Sequence, residues 1–169
     1  MRIFASKGIT MKSKLTCSQC KQPIRKNDNY CTNCGGVFSD ELKCRKHKAM
    51  SAAGVCVLCS TPYCARCGSD VNKIFLCDRH ANYEIFEGRA RVFGSMDNVR
   101  AQFAQACLKQ AGYHPYMYNR MFNPVADQVS ITPLRNFGGH PSIEQKVLVP
   151  FSEVLDAVKE LKKHKFTEI

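Results

Sequence analysis

Tryptophan is absent from the chain, and residues 1–80 hold only five of its 16 Phe and Tyr side chains. That stretch therefore lacks the large apolar groups with which a small domain closes a core unaided. No apolar run approaches the ~20 residues of a membrane helix, and the opening MRIFASKGITMKSKLT has no apolar segment of signal-peptide length. A soluble, cytoplasmic protein with no membrane contact is expected. The His-Glu-x2-His signature of zinc hydrolases and the His-x-Glu of zinc deaminases are missing as well. Acidic residues are scarce in the first half, 5 against 14 basic ones in residues 1–80, and nearly balanced afterwards, 9 against 11.

What the first half does have is cysteine. Residues 44–80 read Cys44-x2-His47-x8-Cys56-x2-Cys59-x4-Cys64-x2-Cys67-x9-Cys77-x2-His80, four pairs with the same two-residue spacer. Such a spacer lets two thiolates, or a thiolate and an imidazole, converge on one tetrahedral zinc from a tight turn. Disulfides are the alternative use of these thiols, but in a reducing compartment Cys-x2-Cys units read as metal ligands. Pairs two and three are joined only by Ser60 to Tyr63, too short a link to fold both onto one ion. The spacing predicts a cross-brace: Cys44, His47, Cys64 and Cys67 at one zinc, and Cys56, Cys59, Cys77 and His80 at another. Sequential pairing is the competing arrangement. Val55, Val57, Leu58, Tyr63, Ile74, Phe75 and Leu76 are the candidate core around these sites.

Upstream, Cys17-x2-Cys20-x10-Cys31-x2-Cys34 has the spacing of two knuckles facing each other across one zinc. Gly35 and Gly36 suit the turn after the second knuckle. Three ions are expected in all, each with four protein ligands and no open position for a reactive water. Ten thiolates and three divalent ions together remove four positive charges, so the formal +11 becomes +7.

Residues 17–38 resemble the short zinc ribbons of prokaryotic proteins. Residues 42–82 resemble the B-box zinc finger, especially its short microbial forms, more than the RING finger, and depart from it by ending in Cys-His. Residues 1–16, with four basic residues and no acidic one, read as a flexible basic tail.

After His80 the paired ligands stop. YEIFEGRARVF, residues 83–93, has strand composition with an interruption at Gly88. A helix follows, capped by Asp97 or Ser95 and ending at Gly112, with Val99, Phe103, Cys107 and Ala111 on its expected buried face. Cys107 reads as a small buried hydrophobe. Tyr113 to Arg120 predict a second strand, residues 121–144 a long connection that is functional or disordered, and Lys146 to Val149 a third strand. A final helix is expected from a Ser152 cap to Lys163, with Val154, Leu155, Val158 and Leu161 buried. Residues 84–166 thus predict a two-layer α+β plait of order β-α-β-β-α beside the small zinc-stabilised modules. Gln110-Ala111-Gly112-Tyr113 and Val147-Leu148-Val149-Pro150 resemble motifs of the prokaryotic signal-transducing protein family, a resemblance that implies a PII-like plait with a regulatory role.

The pattern points to a non-enzymatic zinc-binding adaptor or regulator, acting through protein–protein interaction or signal transduction. The alternative is nucleic-acid binding through the ribbon and tail. In that reading Lys12, Lys14, Lys21, Arg25, Lys26, Lys43, Arg45, Lys46 and Lys48 follow phosphates, with Tyr30 and Phe38 available to stack. A RING-like ligase is disfavoured by pair spacing. His114 and His140 stand isolated beside prolines, and Asn136-Phe137-Gly138-Gly139 is a weak glycine motif.

Overall fold

The structure is a computed structural model and describes residues 15–119 and 144–166. Most of the basic tail, including Lys12 and Lys14, lies outside these residues. So do Asn136 to Gly139, His140 and the rest of the 121–144 connection apart from Glu144. The described chain is an α+β mixture of small antiparallel sheets and two helices.

Two hairpins come first. β1 (Gly54–Cys56) pairs with β2 (Thr61–Tyr63), and β3 (Gly68–Val71) pairs with β4 (Ile74–Cys77). Asn72 and Lys73 both adopt positive φ, 51° and 66°, as a two-residue turn matched to strand twist requires. The expected core residues Val55, Val57, Leu58, Tyr63, Phe75 and Leu76 are buried, and Ile74 is partly so. Upstream, the bridges Thr16↔Pro23 and Tyr30↔Val37 hold two short turns together.

The second half is one four-stranded antiparallel sheet in the order β5 (Ile85–Phe86), β6 (Arg89–Ser95), β8 (Gln145–Pro150), β7 (Tyr116–Asn119). Where one interrupted strand was expected over 83–93, the chain makes a hairpin. Glu87 (φ 40°) and Gly88 (φ 79°) form its turn and set Phe86 opposite Arg89. Strand alternation sends Ala90, Phe93, Val147 and Val149 to one face. There α1 (Asn98–Gln110) and α2 (Val154–Lys163) touch each other and both contact β6 and β8.

Asp97 caps α1, its side chain accepting from the backbone N–H groups of Val99 and Arg100. Gly112 (φ 86°) ends the turn after it. The buried face of α1 differs from expectation, for it consists of Ala101, Ala104, Cys107 and Leu108, while Val99 and Phe103 are 73% and 57% exposed. Alanines let the helix axis come close to the sheet, and a large ring at their positions would hold it off. α2 buries Val154, Ala157, Val158 and Leu161, with Leu155 at the margin. Ser152 does not cap it. Residues Phe151–Glu153 form a 3-10 turn instead, with no side-chain cap. Glu153 is committed elsewhere, its carboxylate accepting from the His114 backbone N–H at 2.8 Å and lying 2.7 Å from His114 Nδ1.

One apolar core runs through both halves, from the cysteine hairpins to Phe166, while Cys17, Cys31 and Cys34 form a separate small cluster with Cys20 and Ile24 packed against it.

Candidate metal centres

The twelve candidate ligands assemble into three groups of four, within each of which every ligand atom lies inside 4.8 Å of the others. Site 1 comprises Cys17, Cys20, Cys31 and Cys34. Site 2 comprises Cys44, His47, Cys64 and Cys67. Site 3 comprises Cys56, Cys59, Cys77 and His80. The first pair of the 44–80 stretch thus meets the third, and the second meets the fourth.

Local backbone explains why each pair converges. Lys21 N–H donates to the Cys17 carbonyl at 2.9 Å, Gly35 to Cys31 at 2.8 Å, and Ser60 to Cys56 at 2.8 Å. In all three turns the donor, the residue after the second cysteine, has positive φ: 61°, 81° and 50°. The same left-handed residue therefore closes knuckles whose sequences differ. Only at Gly35 does the surrounding packing also forbid a side chain. A Cβ there would sit 2.2 Å from the Val55 carbonyl oxygen. Val55 N–H donates to the Gly35 carbonyl and Phe75 N–H to the Cys34 carbonyl, both at 2.8 Å. Site 1 is thereby pinned by backbone to β1 and β4.

The distances fit a tetrahedral ion. With metal–sulfur bonds of about 2.3 Å and metal–nitrogen bonds of about 2.0 Å, sulfurs should lie ~3.8 Å apart and sulfur–nitrogen pairs ~3.5 Å apart. In site 1 the Sγ atoms of Cys17 and Cys34 are 3.7 Å apart and those of Cys20 and Cys31 are 3.5 Å apart. In site 2, His47 Nδ1 lies 3.8, 3.4 and 3.2 Å from the sulfurs of Cys44, Cys64 and Cys67. In site 3, His80 Nδ1 lies 3.4 and 3.3 Å from those of Cys56 and Cys77. A disulfide would need about 2.05 Å between sulfurs, and all eleven cysteines are free.

The surroundings favour thiolate at selected sulfurs. At Cys44, burial works to raise the thiol pKa, but amide hydrogen bonds from Cys64 and His47 prevail and lower it to about 6. The His47 amide stands 3.4 Å from that sulfur. A hydrogen bond from Cys59 holds Cys56 far below the ordinary thiol range and pushes Cys59 itself up. At Cys34 burial dominates and raises the thiol. Sites 1 and 3 are largely enclosed, whereas His47 leaves site 2 with one exposed ligand.

Lys21, Arg25, Lys26, Arg45 and Lys48 are exposed, while Lys43 bonds Ser51 at 3.2 Å and Lys46 approaches Asp78 at 3.9 Å. Phe38 is 41% exposed, but Tyr30 is half-buried in its bridge with Val37. Sequence reasoning missed a different grouping, in which Phe86, Arg89, Tyr116 and Tyr118 lie together on the open sheet face. Tyr-x-Tyr alternation in 116–118 was the available signal. Among the described residues no helix is long and apolar enough to cross a membrane. Compared with family models, curated proteins and solved structures, the chain gives no match.

Proposed function

We propose that the protein is a non-enzymatic adaptor or regulator in which three zinc ions hold the first half in shape for a protein partner. The observation that carries this reading is the completeness of the three clusters, since four protein ligands at tetrahedral spacing leave no coordination position for substrate or water. Zinc is the ion that this donor set favours, thiolate and imidazole at four-coordinate distances. Its role is to supplement the small hydrophobic core of residues 15–80.

The finer reading of the parts follows the ligand order. Residues 17–38 act as a zinc ribbon and 42–82 as a B-box-type cross-brace. Residues 84–166 act as a plait like that of the signal-transducing family, a reading supported by two helices on one sheet face and by the strand order. A cytoplasmic site of action agrees with the use of cysteine as thiolate.

Two measurements test this. Metal analysis of the purified chain should give three zinc ions. Capture of the tagged, zinc-loaded protein from lysate of its own cells should recover a protein partner that survives nuclease treatment. Partners that vanish on digestion would instead make nucleic acid the primary ligand and sink the adaptor reading.

A further inference from the structure

The sheet face turned away from α1 and α2 carries an organised set of aromatic and cationic side chains. The Glu87-Gly88 turn fixes Phe86 beside Arg89, and strand alternation puts Tyr116 and Tyr118 on the same side of β7. Across the face the groups meet in two pairs. The Arg89 guanidinium lies 5.3 Å from the centre of the Tyr116 ring, and the Phe86 and Tyr118 rings are 4.9 Å apart at a tilt of 35°. Both pairs line a cavity of about 270 Å³, together with Leu148 and Glu87.

Among the described residues, the basic side chains of this face are ion-paired except at Arg89. Arg91 pairs with Glu84 and Glu144, and Lys146 pairs with the same two carboxylates. Arg89 has no carboxylate within ion-pair distance among the described residues, so its one strong interaction is with the π face of Tyr116. Tyr116 itself is 53% exposed, although Leu148 next to it in the register is 2% exposed. An exposed ring held in place by a cation, above a dry floor, is a surface for another flat ring.

The ligand chemistry follows from these groups. A flat, weakly polar ring can stack on Tyr116, and an anion attached to it can reach Arg89. The cavity is smaller than the ~300–1,000 Å³ of typical small-molecule pockets, and a single free guanidinium cannot clamp a polyphosphate. One base enters, and the rest of the ligand extends over the surface. We infer that this face binds single-stranded nucleic acid by stacking a base between the Arg89–Tyr116 and Phe86–Tyr118 pairs, with Arg89 on the adjoining phosphate. Exposed Glu87 keeps phosphate to the Arg89 side and can accept from the amino group of adenine or cytosine. This site is separate from the basic ribbon and stands independently of the adaptor reading.

The test uses the full-length, zinc-loaded chain and a fluorescent 12-nucleotide single-stranded RNA of adenine and cytosine, read by anisotropy. Binding is expected, Tyr116→Leu should weaken it by roughly tenfold or more, and Tyr116→Phe should preserve it. Arg89→Gln should lower the slope of log affinity against log salt by about 0.7, the value for one phosphate of a single strand. Tyr118→Leu provides a second aromatic variant, and unchanged zinc content and circular dichroism verify the fold of each. Failure to bind at low salt overturns the inference. So does binding that ignores Tyr116→Leu and Arg89→Gln but disappears when Lys21, Arg25 and Lys26 become Glu, for then the ribbon is the site. Adenosine monophosphate binding as tightly as the 12-mer would overturn the assignment to a strand. Loss of a captured protein partner in Tyr116→Leu, with no RNA bound by the parent, would assign the face to protein.

Discussion

The two halves of the chain solve the same problem with different materials. Around sites 2 and 3, short strands and turns bury cysteines and a few apolar side chains, and the ligands at each ion lie up to 24 residues apart. In the second half, Phe93, Leu108, Val147, Val149, Val154 and Leu161 form an ordinary hydrophobic interior. The contrast teaches that the first half gathers candidate metal ligands at its centre, while the second closes on apolar side chains alone. Their shared core nevertheless makes the boundary a packed interface rather than a free linker.

Removing metal is the strongest way to expose this contrast. Zinc binding contributes folding free energy on the order of 10 kcal/mol per site in small zinc domains. A strong chelator should therefore erase the amide dispersion of residues 15–80 in NMR spectra while the helical circular dichroism of α1 and α2 persists. Loss of both signals together would mean that the halves fold only as one unit. Acid should act in the same direction, because protons compete with the ion for the thiolates and imidazoles. Zinc release should rise as pH falls below neutrality, detected with a chromogenic chelator.

Cutting one site sharpens the comparison. Cys64→Ser should reduce the metal content from three ions to two, leaving site 1 intact. Loss of Cys77 and His80 as its co-ligands, in place of Cys44 and His47, would mean that the pairs are shared sequentially. In the other half, Leu108→Ala should destabilise by about 2–5 kcal/mol without altering zinc content, measured by denaturant unfolding. Val99→Ser, on the opposite side of α1, should stay within about 0.5 kcal/mol.

Within the first half, the seam between site 1 and the hairpins is open to a smaller perturbation. Gly35→Ala must accommodate a Cβ 2.2 Å from the Val55 carbonyl oxygen at a φ of 81°. Backbone strain of this kind costs about 1–3 kcal/mol, and shifts in the Val55 and Phe75 amide resonances should report it. The smallest effect belongs to Glu84, whose carboxyl is held below its ordinary pKa by the Lys146 hydrogen bond. A depressed carboxylate stabilises the fold above its unfolded pKa, and that contribution disappears as pH falls through the folded value. Because Glu84 is 44% exposed, Glu84→Gln should cost well under about 1 kcal/mol and flatten stability against pH only in the acidic range.

Legibility in the sequence followed the same division. Metal geometry acts through local spacing, so the ligand pairs and the order in which they could be shared were readable from Cys44 to His80. The burial of the hairpin core was readable too. The pinning of Cys34 and Gly35 to β1 and β4 was not, because backbone hydrogen bonds leave no side-chain signature. In α1 the large residues Val99 and Phe103 suggested the wrong face, since close approach to a sheet selects Ala101 and Ala104. The hairpin at 85–89 was obscured by Glu87, a residue whose identity does not announce positive φ. Ser152 looked like a cap, but a 3-10 turn over Phe151–Glu153 carries the chain past it.

The interleaving of ligands at sites 2 and 3 also imposes an order on a chain made from its N-terminus. Site 1 has all its donors once Cys34 has emerged. Site 2 must wait for Cys67, and site 3 for His80, during which Cys44, Cys56 and Cys59 are exposed as unshared thiols. The ribosome thus releases one complete metal trap and then two entangled ones, which close within 13 residues of each other. Metal scarcity during synthesis would strike the entangled pair hardest, because an ion captured early by Cys56 and Cys59 meets its remaining donors only after Cys64 and Cys67 have found theirs.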